Sequence, residues 1–159
     1  MGRGTTFKVY LPLPISDAIA VEIQKPVNQP ESWSGSGTIL LVEDEEQILQ
    51  VAKAMLMELG FNVIEARNGK EALEQYEKNA NDIKLVVTDM GMPVMDGYAL
   101  FNVLKKLNPS LPIIITSGFG EADITSRIPR DDIAGLIGKP YNFNLLRNVL
   151  KGVEQNRCA

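Results

Sequence analysis

Histidine is absent from the 159 residues. That excludes His-based catalytic triads, histidine metal sites and a phosphohistidine carried on this chain. There is one cysteine, Cys158, so neither an intrachain disulfide nor a cysteine zinc site can form, and a reducing cytoplasm is the expected compartment. Apolar runs are short, as in TILLV and PIIIT. None approaches the roughly 20 residues a membrane-spanning helix requires, and direct membrane contact is not expected. The first residues, MGRGTTFKVYLPLP, lack the apolar h-region of a signal peptide. Positive charge is also short. Lys plus Arg number 16 against 20 Asp plus Glu, a formal net charge of −4. No basic field for nucleic acid is present. What the chain does have is apolar content, 45% of residues, enough to bury a core.

Three zones follow one another. In residues 1–14, Phe7, Val9 and Leu11 alternate with Lys8 and Tyr10, and prolines close the run. This pattern predicts a short strand. Residues 15–37 hold Pro26, Pro30, Gly35, Gly37 and several serines, which predicts a linker with helical content near Asp17 to Ile23. From residue 38 onward, short apolar runs at 38–42, 62–66, 84–88, 112–116 and 134–138 suit buried parallel strands. Helical patterns lie between them. Ile48, Ala52, Met55 and Leu59 share one face of the first helix, which Gly60 ends. Asn68, with Glu71 three residues on, opens the second. Leu100, Phe101, Leu104 and Leu107 mark the third, closed by Asn108-Pro109. A short, weakly patterned fourth covers about 121–128. The fifth starts near Phe143, with Leu146, Val149, Leu150 and Val153 inward. Five strand–helix units in alternation predict an α/β fold, a doubly wound five-stranded parallel sheet with five helices.

In such a sheet, sites form at the carboxyl ends of the strands. Glu43 to Glu46 follow the first run, Asp89 and MGMPVMDG the third, Ser117-Gly118 the fourth, and Lys139-Pro140 the fifth. Singly, each has an ordinary explanation: acids favour a helix start, Ser-Gly makes a turn, and lysine faces solvent. Together they differ. Carboxylates on adjacent strand ends repel one another unless a cation intervenes. An oxygen-only donor set suits a hard ion such as Mg²⁺. A lysine and a hydroxyl alongside would complete a site for a phosphoryl group. Asp89 is the best placed nucleophile, because in the common strand order 2-1-3-4-5 the third strand lies between the other contributors.

The motifs ILLVEDE, VVTDMGMPVMDG, IIITSG and GLIGKPY, in this order and each at a strand end, resemble those of two-component response-regulator receiver domains. The resemblance spans about 38–152 and leaves 153–159 as a tail. It implies a flavodoxin-like fold with strand order 2-1-3-4-5. It implies Asp89 as phosphoacceptor, Glu43 and Asp44 as the acidic pair, and the Gly91 carbonyl as a further Mg²⁺ ligand. Ser117 becomes the switch hydroxyl and Lys139 the phosphate-pairing lysine, with Pro140 in a cis bond. Pro93, Asp96 and Gly97 would shape the loop after the acceptor and start the third helix. The methionines around Asp89 are better explained by packing.

The sequence departs from the pattern in places. The first acid is Glu43 rather than the commoner aspartate. Leu136 stands where many receivers carry an aromatic switch residue. Gly91 and Phe119, each two residues after a site residue, offer no side chain to position a hydrolytic water, so a long-lived aspartyl phosphate is expected. GRGTTFKVYLPLP resembles the end of a histidine-kinase ATP-binding domain, which implies the C-terminal receiver of a hybrid sensor kinase. Its isolated strand would lack its sheet partners, so residues 1–37 are expected to be poorly ordered or packed opportunistically. No output domain follows the fifth helix, so output is expected to pass to a partner. The resemblance implies a histidine kinase or a histidine phosphotransfer protein, or a homodimer through the fourth helix, fifth strand and fifth helix.

Three other functions fit the sequence less well. An Asp-nucleophile phosphohydrolase would need an acid two residues after Asp89, where Gly91 stands. A degenerate scaffold would not retain Asp44, Asp89, Ser117 and Lys139. An FMN carrier would place phosphate against EDEE, which repels it.

Overall fold

The computed structural model describes residues 8, 33–118 and 120–157. The expected strand in residues 1–14, most of the linker, Phe119 and Cys158 lie outside the described residues.

Five strands form one parallel sheet in the order β2-β1-β3-β4-β5. They are β1 (Thr38–Val42), β2 (Asn62–Ala66), β3 (Ile83–Asp89), β4 (Ile113–Ser117) and β5 (Gly135–Gly138). Five helices connect and follow them: α1 (Glu46–Glu58), α2 (Gly69–Asn79), α3 (Gly97–Leu107), α4 (Glu121–Thr125) and α5 (Phe143–Arg157), with a 3₁₀ turn at Arg130–Asp132. This is the flavodoxin-like order expected from the sequence.

The pleat divides the core in two. Leu40, Val42, Val86, Ile113 and Ile115 face α2, α3 and α4, where Ala72, Tyr76, Leu100, Leu104 and Ile124 meet them. Their immediate neighbours Ile39, Leu41, Leu85, Val87 and Ile114 face α1 and α5 and pack on Leu49, Leu56, Leu146 and Leu150. Alternate residues of one strand thus serve opposite layers, which is why these runs are apolar throughout. β2 is the exception. It is an edge strand, only Ala66 is fully buried, and Glu65 pairs outward with Lys53.

Local signals set the boundaries. At the end of α1 the Phe61 N–H donates to Leu56 O at 3.1 Å and the Gly60 N–H to Met57 O at 3.0 Å. Gly60 holds φ +96°. This is a Schellman end, and it needs the left-handed freedom of glycine. Asn68 caps α2 by accepting from the Glu71 N–H at 3.0 Å.

Several expectations shift. The buried face of α1 is Leu49, Ala52 and Leu56, with Ile48 and Met55 only half-buried. The sequence is apolar at both sets of positions, and packing on the sheet at β1 and β2 selects between them. Leu107, at the last turn of α3, is 58% exposed. α4 is shorter than expected. The Thr125 hydroxyl donates to Glu121 O at 2.9 Å and the Ser126 hydroxyl to Asp123 O at 2.7 Å, and Pro129 disfavours helix at the residue before it. α5 runs to Arg157, so residues 153–157 belong to it rather than to a tail, and Val153 is buried in the core. Residues 33–37 are docked on the domain. The Gly35 N–H donates to Leu59 O at 2.8 Å, and Trp33 packs on Phe61.

Candidate functional site

The carboxyl ends of β1, β3, β4 and β5 bring Glu43, Asp89, Ser117 and Lys139 to one rim. Main-chain bonds lock the rim across the strands. Glu43 N–H donates to Ala66 O at 3.1 Å, Met90 N–H to Thr116 O at 3.2 Å and Lys139 N–H to Ser117 O at 2.7 Å. Glu43, Asp89 and Ser117 are buried, while Asp44 is exposed.

Glu43, Asp44 and Asp89 each contribute a carboxylate oxygen within 4.8 Å of the others. Lys139 Nζ donates to Glu43 Oε2 at 2.7 Å and lies 3.2 Å from Asp89 Oδ1. One ammonium therefore serves two acids. Burial raises the Glu43 pKa above its ordinary value, more strongly than the hydrogen bond from Lys139 lowers it. Lys139 ends above its ordinary value as well. Burial disfavours its charge, but the bond to Glu43 and the charges of Asp89 and Glu43 outweigh that. The asymmetry follows from stoichiometry: the lysine has two carboxylates, and each carboxylate has a share of one lysine.

Three carboxylates against one ammonium leave a net charge of −2. Oxygen donors and surplus negative charge fit a hard divalent cation such as Mg²⁺. A Cβ built on Gly91 would lie 3.9 Å from Asp89 Oδ2, so this residue sits beside the Asp89 carboxylate.

The loop after β3 folds back beside Asp89. The Met95 N–H donates to Pro93 O at 2.8 Å, and Val94, between them, holds φ 69° with 83% of its surface exposed. A β-branched residue with positive φ is strained. Asp96 caps α3 by accepting from the Ala99 N–H at 2.7 Å. The Gly97 N–H donates to Met90 O at 3.2 Å, and a Cβ there would fall 2.2 Å from Asp89 O. Glycine is required because the start of α3 rests on the backbone of Asp89 itself. The Lys139-Pro140 bond is cis. Leu136 is half-buried and, with Ser117, Arg130 and Ile137, lines a cavity of about 320 Å³ beside α4.

Of the described residues singled out from the sequence, Glu43, Asp44, Asp89, Ser117 and Lys139 thus lie at this rim and Gly91, Pro93, Asp96, Gly97 and Pro140 in the segments beside it, while Leu136 lies within β5. Tyr141 was not among them. Burial raises its phenol pKa, and the charge of Glu43 raises it further; with Lys139, Pro140, Ile48 and Met55 it lines a cavity beside α1. Its position directly after Lys139-Pro140 was the available signal.

Comparison with known proteins agrees with this geometry. The family model for the response regulator receiver domain matches residues 39–151. The sensor kinase CckA of Brucella abortus is 36% identical over 156 residues, covering 95% of this chain and 16% of that protein. The chain therefore spans about a sixth of that relative's length. The crystal structure of the receiver domain of the hybrid histidine kinase CckA superposes with a TM-score of 0.63 at 31% identity, over 74% of this chain and 98% of that one. The response regulator TrrA of Thermotoga maritima, crystallised in complex with Mg²⁺–BeF, gives 0.66 at 26% identity, with 74% and 98% covered.

Proposed function

The chain belongs to the response regulator receiver domain family, the receivers of two-component signalling, and from that premise we propose that Asp89 accepts a phosphoryl group from a phosphohistidine. The observation that carries this is Lys139 Nζ held 3.2 Å from Asp89 Oδ1 while it also bonds Glu43. A cation held against the acceptor is where a phosphoryl oxygen needs one.

An Asp89 carboxylate oxygen attacks phosphorus. The P–N bond to the imidazole breaks, its electron pair stays on the nitrogen, and an acyl phosphate forms. Glu43, Asp44, Asp89 and the Gly91 carbonyl would hold Mg²⁺. When bound, that ion offsets the repulsion between the acceptor and the incoming anion. Lys139 pairs with one phosphoryl oxygen, and the Ser117 hydroxyl, at the end of the adjacent strand, bonds another.

The donor is a histidine kinase or a histidine phosphotransfer protein. Residues 1–14 are the end of a kinase ATP-binding domain and 15–32 its link to the receiver. In support, the likeness to a sensor kinase runs over 156 residues, well upstream of the family match at residue 39. Output passes through the face of α4, β5 and α5 to a protein partner or a second copy. Among the described residues no helix is long and apolar enough to cross a membrane.

The test is intact mass after incubation with acetyl phosphate and Mg²⁺. A gain of one phosphoryl group is expected, lost in Asp89→Asn and in EDTA. A folded protein that gains nothing from acetyl phosphate or from a phosphorylated histidine kinase would overturn the proposal in favour of a phosphorylation-independent scaffold.

A further inference from the structure

Gly69 is the first residue of α2, and its backbone is not left-handed. Glycine is a poor helix former, so turn geometry does not explain it. Space does. A Cβ at this position would lie 2.6 Å from Met95 Cγ, 2.9 Å from Met95 Sδ and 2.9 Å from the Met95 carbonyl oxygen. That same carbonyl accepts the Gly69 N–H at 3.0 Å. Met95 lies in the loop that also contains Gly91 and ends at Asp96, the cap of α3.

The turn that carries Gly69 is tied on its other side to the first acidic strand end. The Arg67 N–H donates to the Glu71 carboxylate at 2.9 Å. The Arg67 guanidinium pairs with Glu46 in the first turn of α1, two residues after Asp44. Residues 67–69 thus bridge the two segments that contribute Asp44 and Gly91. Neither end of the bridge touches phosphate or metal.

We infer that Gly69 is a positioning residue for the metal-binding loop. By admitting the Met95 carbonyl to contact with the first N–H of α2, it sets where the β3–α3 loop, and with it the Gly91 carbonyl, stands relative to the carboxylates. Any side chain at 69 displaces that loop or the helix. The inference rests on the Mg²⁺ site assigned under Proposed function and adds to it a residue outside the site.

The experiment follows the rise in melting temperature with Mg²⁺, without any phosphodonor, in the full chain. Binding to the folded state raises stability by RT ln(1 + [Mg²⁺]/Kd), and Tm with it, so the titration reports affinity. Gly35→Ala serves as the comparison. Its Cβ would meet the Phe61 ring at 2.0–2.7 Å, at the opposite end of the sheet, so it should lower Tm and leave the Mg²⁺ dependence unchanged. Gly69→Ala should raise about tenfold the Mg²⁺ concentration that produces a given rise in Tm, the cost of disturbing a ligand's support. Gly69→Ala with Met95→Ala should recover part of the loss, since two of the three crowded atoms go and the Met95 carbonyl oxygen, 2.9 Å from the added Cβ, stays. Where Gly69→Ala alone does not fold, the double variant should still need severalfold more Mg²⁺ than wild type. A wild-type Mg²⁺ dependence in Gly69→Ala, or in the double variant where only that one folds, overturns the positioning role. A wild-type chain that shows no Mg²⁺ response overturns the metal site itself, which separates the two failures.

Discussion

Replacing Asp44 with asparagine should make the metal-free protein more stable. Asp44 is exposed, and its carboxylate approaches those of Glu43 and Asp89 within 4.8 Å. Each repulsion is about 0.9 kcal/mol at that spacing in bulk water, and more where the dielectric is lower. Against this, an acid just ahead of α1 gains about 0.5 kcal/mol from the helix dipole. The net gain on substitution is about 1 kcal/mol, a Tm increase of about 4 °C for a domain of this size. The assay is thermal unfolding by circular dichroism in EDTA at low ionic strength, where screening is weakest. Millimolar Mg²⁺ should invert the order, because wild type gains binding free energy that the variant, short of one ligand, does not. A variant no more stable than wild type in EDTA would refute the repulsion. A variant that still ranks above wild type in Mg²⁺ would refute Asp44 as a ligand.

Lys139→Met removes the only cation bonded to Glu43 and Asp89 among the described interactions. It should cost about 3 kcal/mol near neutral pH, read by urea unfolding, and should strongly slow phosphorylation by acetyl phosphate. Because the Lys139 pKa is raised above 10.5 when folded, its stabilisation is complete below pH 10.5 and is lost as pH rises through the folded value. Wild type should therefore lose stability at alkaline pH more steeply than the variant, and parallel pH profiles would contradict this. Gly97→Ala forces a Cβ to 2.2 Å from Asp89 O and should destabilise by about 3 kcal/mol, with a lower urea midpoint and unchanged slope. Gly91→Asn supplies the side chain that is missing beside Asp89. It should shorten the aspartyl phosphate lifetime severalfold, measured by mass after removal of the donor, and an equal lifetime would show that water positioning does not limit hydrolysis.

Where one local signal decides the conformation, the sequence was sufficient. Gly60 had one way to end α1, Asn68 and Glu71 one way to start α2, and the acids, Ser117 and Lys139 each directly followed a strand-like run. Where several residues compete for one role, it was not. Ile48 and Leu49, or Met55 and Leu56, are equally apolar, and the choice between them is made by how α1 lies on β1 and β2. Tyr141 and Gly69 carry no charge pattern, and their places follow from which loops the sheet brings together. Trp33 and Gly35 sit in a serine- and glycine-rich stretch that reads as linker until Phe61 is brought against it.

The short α4 has a consequence for how the molecule breathes. It spans Glu121–Thr125 and has Ile124 as its one buried side chain. It starts at Gly120 without a side-chain cap. A helix of one turn or so cannot recover the entropy of its own nucleation, so its persistence depends on that isoleucine. Its amides should exchange with deuterium through local opening, well before those of β3, β4 or α3, whose protection requires global unfolding. The free energy needed to redraw this part of the surface is thus a small fraction of that holding Asp89 in place. The molecule can keep its chemistry rigid while the neighbouring contour is rewritten.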